Sequence, residues 1–247
     1  MTMEPPVPES RNCCLFLDID GTLLDIAPTP DDVHVDESLR TLLRALEREC
    51  DGALALISGR TIPDIDDLFE PLFLATAGVH GCERRDALGH WLRPAFLNSR
   101  FDGFRDRLRN ALLPLEALLF EDKHCAVALH YRGAPQLEGQ LRAILDRLTP
   151  FIPDGHELIE GDEVIEVKPA SHNKATAIEA FMQEAPFADR FPIFIGDDLT
   201  DQDGFAAVRR HDGMAIAVGS NVNSEWRLDD PAAVRRWLAT FLAARTS

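Results

Sequence analysis

The sequence predicts an α/β fold: a doubly wound parallel core with a small α+β domain inserted into it. Three observations lead there. Near both ends of the chain, short apolar runs that stop at carboxylates alternate with amphipathic helical patterns, as in a parallel sheet covered on both faces. The middle of the chain instead reads α-β-β-α-β-β, which suits an antiparallel sheet with helices on one face. The length, 247 residues, accommodates one large domain or two small ones.

The elements follow in order. Residues 13–17 form a short apolar run that reads as a buried strand. Leu39, Leu42, Leu43 and Leu46 then recur at helical spacing. A second buried run at 53–57 stops at Ser58-Gly59, helical periodicity resumes after Thr61, and 72–75 reads as a third strand. In the middle, Phe101, Phe104, Leu108 and Leu112 form a helical stripe, followed by strand-like runs at 117–123 and 126–132. A second stripe, Leu137, Leu141, Ile144, Leu145 and Leu148, precedes strand-like runs at 156–160 and 163–168. The first style then returns, with a helix marked by Ile178, Phe181 and Met182, strands at 191–195 and 214–218, and a last helix through Val234, Trp237, Leu238, Phe241 and Leu242. The expected organisation is a flexible N-terminal tail at 1–11, a core of 12–99 and 170–247, and an insert of 100–169. Trp91, Trp226 and Trp237 are expected in the core or at its edges.

Composition narrows the function. Apolar residues make up 45% of the chain, which permits a sizeable core. The formal net charge of −17 argues against a nucleic-acid partner, because duplex binding rests on Lys and Arg neutralising phosphates. An anionic substrate would need local cations or a metal to overturn that field. The five cysteines, Cys13, Cys14, Cys50, Cys82 and Cys125, show no zinc spacing and read as reduced thiols of a cytoplasmic protein. No secretory signal and no run of transmembrane length is visible, so no membrane partner is expected.

The strongest chemical signal is the segment 15–23, LFLDIDGTL. A buried strand there delivers Asp18 and Asp20 to its C-terminal end, the ligand-binding end of open α/β sheets. Two acids so placed repel unless a cation or proton sits between them, and Mg2+ suits an oxygen-rich site. Gly21 would allow a sharp turn, and Thr22 offers a hydroxyl. A solvated Asp-Gly turn is the bland alternative. The second cluster, Asp197, Asp198 and Asp201 in GDDLTD, also follows a buried strand, though Asp201 could equally be a helix N-cap. Two acidic strand ends in one chain favour a divalent-cation site. Ser58-Gly59-Arg60, after the second strand, could bind phosphate at a helix N-terminus or simply cap it. Lys174 opens a helix, where the dipole disfavours a cation unless an anion is close. His80, in a Gly-rich loop, could contact substrate or be structural.

Alternation puts Glu121 with Lys123, His130 with Arg132, and Glu166 with Lys168 on shared strand faces. One face of the inserted sheet can therefore be apolar and the other polar, either merely solvated or suited to a multiply hydroxylated sugar.

In chain order, DIDGTL at 18–23, Ser58, Lys174 and GDD at 196–198 resemble the four motifs of the haloacid dehalogenase-like (HAD) phosphatases, and the insert resembles their type C2 cap. AGVHG at 77–81, ERRD at 83–86, ALHYRGAP at 128–135, VIEVKP at 164–169 and GDDLTD at 196–201 are similar, more narrowly, to the trehalose-6-phosphate phosphatases. The resemblance covers about residues 12–240, with Gln202 and Ala175 standing where that family often has Glu and Gly. It implies a HAD-like Rossmannoid core, a Mg2+-dependent phosphatase and the last step of trehalose biosynthesis, functionally linked to trehalose-6-phosphate synthase. It implies Asp18 as nucleophile, Asp20 as acid and base, and Ser58 and Lys174 as phosphate holders. Mg2+ would lie on Asp18, the Asp20 backbone carbonyl and Asp197, with Asp198 and Asp201 tuning or completing the shell. Substrate contacts would come from Gly21, Arg60, His80, Glu121, Lys123, His130, Arg132, Glu166 and Lys168. The rival readings are a capped phosphatase for another sugar phosphate, such as sucrose 6-phosphate, and a phospho-acceptor switch that does not turn over. Oligomeric state is not legible.

Overall fold

The computed structural model describes residues 3–8, 12–27, 33–92, 99–161 and 163–246. In chain order the elements are β1 (Cys13–Leu17), α1 (Glu37–Glu49), β2 (Leu54–Ile57), α2 (Ile62–Phe69), β3 (Ala75–Gly78), β4 (Glu83–Arg85) and β5 (Trp91–Leu92). Then come α3 (Ser99–Leu112), β6 (Leu119–Asp122), β7 (Val127–His130), α4 (Glu138–Leu148), β8 (His156–Gly161) and β9 (Val164–Pro169). The last are α5 (Lys174–Met182), β10 (Phe191–Gly196), α6 (Asp201–Arg210), β11 (Met214–Val218), β12 (Trp226–Leu228) and α7 (Pro231–Thr246). The chain divides into two compact units, one of Met1–Ala27, Asp32–Arg93 and Asn173–Ser247, the other chiefly of Pro94–His172.

The larger unit holds a sheet of order β12-β11-β10-β1-β2-β3-β4-β5, parallel from β12 to β3. Its central strands are continuous apolar runs because both faces are covered. Phe16 and Phe194 are register partners on β1 and β10, and their rings meet Phe181 of α5 and Phe205 of α6. On other helices, α1 packs with α7. The chain winds β1-β2-β3 in one direction and β10-β11-β12 in the other, so the order reverses between β1 and β10. That switch point is where a crevice opens beyond the strands' carboxyl ends.

The smaller unit is an antiparallel sheet of order β6-β7-β9-β8. Val127, Leu129, Ile165 and Val167 bury one face against Phe104 and Leu108 of α3 and Leu141, Ile144 and Leu145 of α4.

Several expectations need correction. The third strand is Ala75–Gly78 rather than 72–75; Ala-Thr-Ala-Gly is too small to advertise a strand, and burial between β2 and β4 makes it one. The short strands β4, β5 and β12 carry too few residues for a periodic signal. Within the N-terminal stretch, the described residues 3–8 make hydrogen bonds to the rest of the larger unit. The Met3 N–H donates to the Glu225 carbonyl at 3.3 Å, the Arg227 N–H donates to the Met3 carbonyl at 3.0 Å, and the Trp237 indole donates to the Pro5 carbonyl at 2.9 Å. Cys13, Cys14 and Cys50 are buried free thiols, as expected. Among the described residues, no helix is long and apolar enough to cross a membrane.

Candidate active site

β1 and β10 run parallel in register, Leu17 beside Ile195, and the Asp18 N–H continues the ladder to the Ile195 carbonyl at 3.0 Å. The residues that follow each strand, Asp18 and Asp197, therefore emerge together at the switch point. After Asp18 the chain turns back sharply: the Gly21 N–H donates to the Leu24 carbonyl at 2.8 Å. Gly21 has φ +80°, and a Cβ there would lie 2.1 Å from Asp197 Oδ2, so only glycine fits. The turn buries Thr22, whose hydroxyl donates to Asp197 Oδ1 at 3.1 Å.

Lys174 sits at the first position of α5, after the N-cap Asn173, which is locked by a capping box with Thr176. Its ammonium, almost fully buried, donates to Asp18 Oδ1 at 2.7 Å and to Asp201 Oδ1 at 2.6 Å. The other Asp201 oxygen accepts the Asp197 and Asp198 N–H groups at 3.0 and 2.9 Å. Asp201 thus holds both the loop after β10 and the lysine. The N-cap reading of Asp201 is not what the helix shows; Thr200 occupies that position.

The electrostatics follow from one ammonium facing three buried carboxylates. Burial pushes Asp18 up to about 6, with Lys174 pulling it down and Asp201 pushing it up. Burial, then repulsion from Asp18 and Asp201, lifts Asp197 to about 8. Burial also raises Asp201 against the pull of Lys174. Lys174 is disfavoured by burial, but the attraction of Asp18 and Asp201 outweighs it and raises its pKa. Two negative charges are left without a counter-charge when all are ionised. Asp18, Asp197 and Asp201 offer oxygens within 4.8 Å of one another, so a divalent cation fits both the geometry and the charge deficit. Asp198 lines the same loop through its backbone and is not one of these three.

Asp20 is placed differently. Both its oxygens accept from Arg60, Nε and one terminal nitrogen each at 2.7 Å. The Arg60 N–H donates to Ser58 Oγ at 3.1 Å, which ties Asp20 to the loop after β2. His80 lies against that loop, with Nε2 where it would be 2.7 Å from a Cβ on Gly59. Gln202 is exposed at the start of α6.

The smaller unit brings four of its expected residues into one network on the sheet face away from its helices. His130 Nε2 meets Glu121 Oε2 at 2.8 Å, Lys123 lies 3.6 Å from the same oxygen, and Lys123 donates to Glu166 at 2.9 Å. Burial opposes the Lys123 charge, but Glu166 and Glu121 outweigh it and raise its pKa. Burial also pushes Glu121 up, but His130 and Lys123 together hold it below the usual range. Arg132 pairs with Glu163 at 3.0 Å. Lys168 donates to Glu157 at 2.7 Å and to the His172 carbonyl at 2.8 Å. Glu157 and Glu163 lacked a sequence signal, because lone strand-edge acids look solvated. Thr22 had one in the Asp-Gly-Thr turn.

The trehalose-phosphatase family model matches residues 16–235. The trehalose-6-phosphate phosphatase of Escherichia coli is 41% identical over 93% of this chain and 86% of its own length. A probable trehalose-phosphate phosphatase of Sinorhizobium fredii is also 41% identical, over 85% of this chain and 79% of its own. A solved structure of a trehalose-6-phosphate phosphatase related protein superimposes with TM-score 0.76 at 26% identity, covering 93% of this chain and 97% of that one. With carboxylates at the ends of β1 and β10, a buried lysine bonded to Asp18 and Asp201 and a matching family model over most of its length, the chain belongs to the trehalose-phosphatase family, on the HAD phosphatase fold.

Proposed function

We propose that the protein hydrolyses trehalose 6-phosphate to trehalose and phosphate through an aspartyl-phosphate intermediate, with Mg2+ as cofactor. The observation that carries the reading is the buried Asp18–Lys174–Asp201 chain at the switch point, with Asp197 beside it, in a chain matched by that family over residues 16–235.

In this mechanism Ser58 and Lys174 hold the phosphate oxygens, and one Asp18 oxygen attacks phosphorus in line. The bond from phosphorus to the sugar oxygen breaks as Asp20 gives that oxygen a proton. Asp20 then takes a proton from the water that attacks the aspartyl phosphate, which releases phosphate and restores Asp18. Asp20 must leave its grip on Arg60 to work in both directions. Mg2+ would be held by Asp18, the Asp20 carbonyl and Asp197, and would offset the repulsion between the nucleophile and the phosphate. Glu121, Lys123, His130 and Glu166 are assigned to the sugar hydroxyls. The substrate would come from a reaction that joins two glucose units with one phosphorylated, the trehalose-6-phosphate synthase reaction.

Phosphate release from a panel of sugar phosphates, with and without Mg2+, tests the reading. Trehalose 6-phosphate is expected to be turned over fastest, only with Mg2+, and Asp18→Asn is expected to be inactive. Equal rates on sucrose 6-phosphate would defeat the substrate assignment.

A further inference from the structure

The segment after β3 has a backbone that its residue types do not favour. Val79 and His80, at φ +48° and +54°, precede Gly81 at +96°, so three successive residues are left-handed. For a β-branched residue such as Val79 that conformation is a true outlier. Both non-glycine residues are buried, so surrounding structure must hold the strain in place.

What holds it is the phosphate-binding loop on one side and the lysine helix on the other. The Val79 N–H donates to the Arg60 carbonyl at 2.8 Å, and the His80 N–H donates to the Ser58 carbonyl at 2.9 Å. A Cβ on Gly78 would meet the Arg60 carbonyl at 2.9 Å, and one on Gly81 would meet the carbonyl of Asn173, the N-cap of α5, at 2.7 Å. The His80 ring lies on Gly59, the residue between Ser58 and Arg60, with Nε2 and Cε1 at 2.7 and 2.8 Å from a Cβ position there. One four-residue turn therefore touches every backbone segment from which Ser58, Arg60 and Lys174 project.

We infer that this turn sets the spacing of the phosphate-holding groups, with His80 as a positioning residue that acts through Gly59 and not through the sugar. The inference rests on the assignment of Ser58 and Lys174 to the phosphate. It deepens that assignment by making the strained turn the common ruler for two remote parts of the chain.

The test uses the full-length protein, wild type and the variants His80→Ala, Gly59→Ala and the double variant. Three constants are measured: the Ki of inorganic phosphate, and KM for p-nitrophenyl phosphate and for trehalose 6-phosphate. In His80→Ala all three are expected to rise together by roughly tenfold, because the phosphate is common to all. Gly59→Ala is expected to do the same, and the double variant is expected to lose about as much as either single one rather than the product of the two, as directly coupled residues behave. A rise in KM for trehalose 6-phosphate alone would make His80 a sugar contact and overturn the inference. Additive effects of the two substitutions would also overturn it. Should His80→Ala fail to fold, Gly59→Ala with an unchanged phosphate Ki decides against it. If the wild type binds phosphate but does not use trehalose 6-phosphate, the substrate assignment fails while this inference stands.

Discussion

Lys174 is almost fully buried and has two carboxylate partners, so its loss leaves charge with no solvent to absorb it. Removing one member of a buried ion pair typically costs about 3–5 kcal/mol. Lys174→Met is expected to lose stability of that order at pH 8, read by urea unfolding, and less at pH 5, where the acids can take protons. Turnover should fall by about 10²–10³, the usual cost of one transition-state donor. At this scale the sequence was legible where a carboxylate stops an apolar run, as at Asp18 and Asp197, which the structure brings together. It was not legible where a partner lies far along the chain. Thr22 reaches Asp197 across 175 residues, and Lys174 reaches Asp201 across 27. The left-handed Val79 gave no sign either, because a β-branched residue is the opposite of a turn signal.

Among elements, the turn after β1 and the sheet of the smaller unit make separate demands. Gly21→Ala would push a methyl onto Asp197 at a φ that L side chains avoid. The expected result is a folded protein that needs more than about tenfold more Mg2+ for half-activation, since the affected carboxylate is one of three close oxygens. In the smaller sheet, alternation predicted which side chains share a face, because the strand period is fixed at two. The register then joined Glu121, opposite Ala128, to Glu166, opposite the same residue. Which charges pair was not in the pattern: Arg132 and Lys168 took Glu163 and Glu157. Glu166→Gln removes one anion beside the buried Lys123. It is expected to raise KM for trehalose 6-phosphate by about tenfold or more while leaving p-nitrophenyl phosphate turnover within about twofold, the margin of a uniform-binding contact.

For the whole molecule, the acidic cluster is expected to link stability to pH and to a bound cation. Asp18 and Asp197 are raised to about 6 and about 8 when folded, above the roughly 3.9 of an unfolded Asp. A raised folded pKa gives stability that is present in full below the unfolded value and is lost as pH rises through the folded one. The metal-free protein is therefore expected to lose melting temperature between pH 4 and pH 8, beyond what an Asp197→Asn variant loses. A cation that favours the ionised carboxylates should reverse the trend, so millimolar Mg2+ is expected to raise Tm more at pH 8 than at pH 5. A shift that is equal at both values, seen by scanning fluorimetry with EDTA as the reference, would count against metal binding at these acids. The doubly wound core was predictable because β1, β2, β10 and β11 read as short apolar runs set among helical stripes, even though β3, β4, β5 and β12 were too small or too short to add to the signal. The lone bridge at Met3 was not, since two hydrogen bonds to a neighbour leave no repeat to read. That bridge lies on β12, the last strand of the sheet, and so acts as a guard over its open flank. A shortened chain starting at residue 9 would bare the Glu225 carbonyl and the Arg227 N–H, main-chain groups that a second molecule could zip onto. Such a truncate should scatter more light on storage than the intact chain, even with every catalytic group in place.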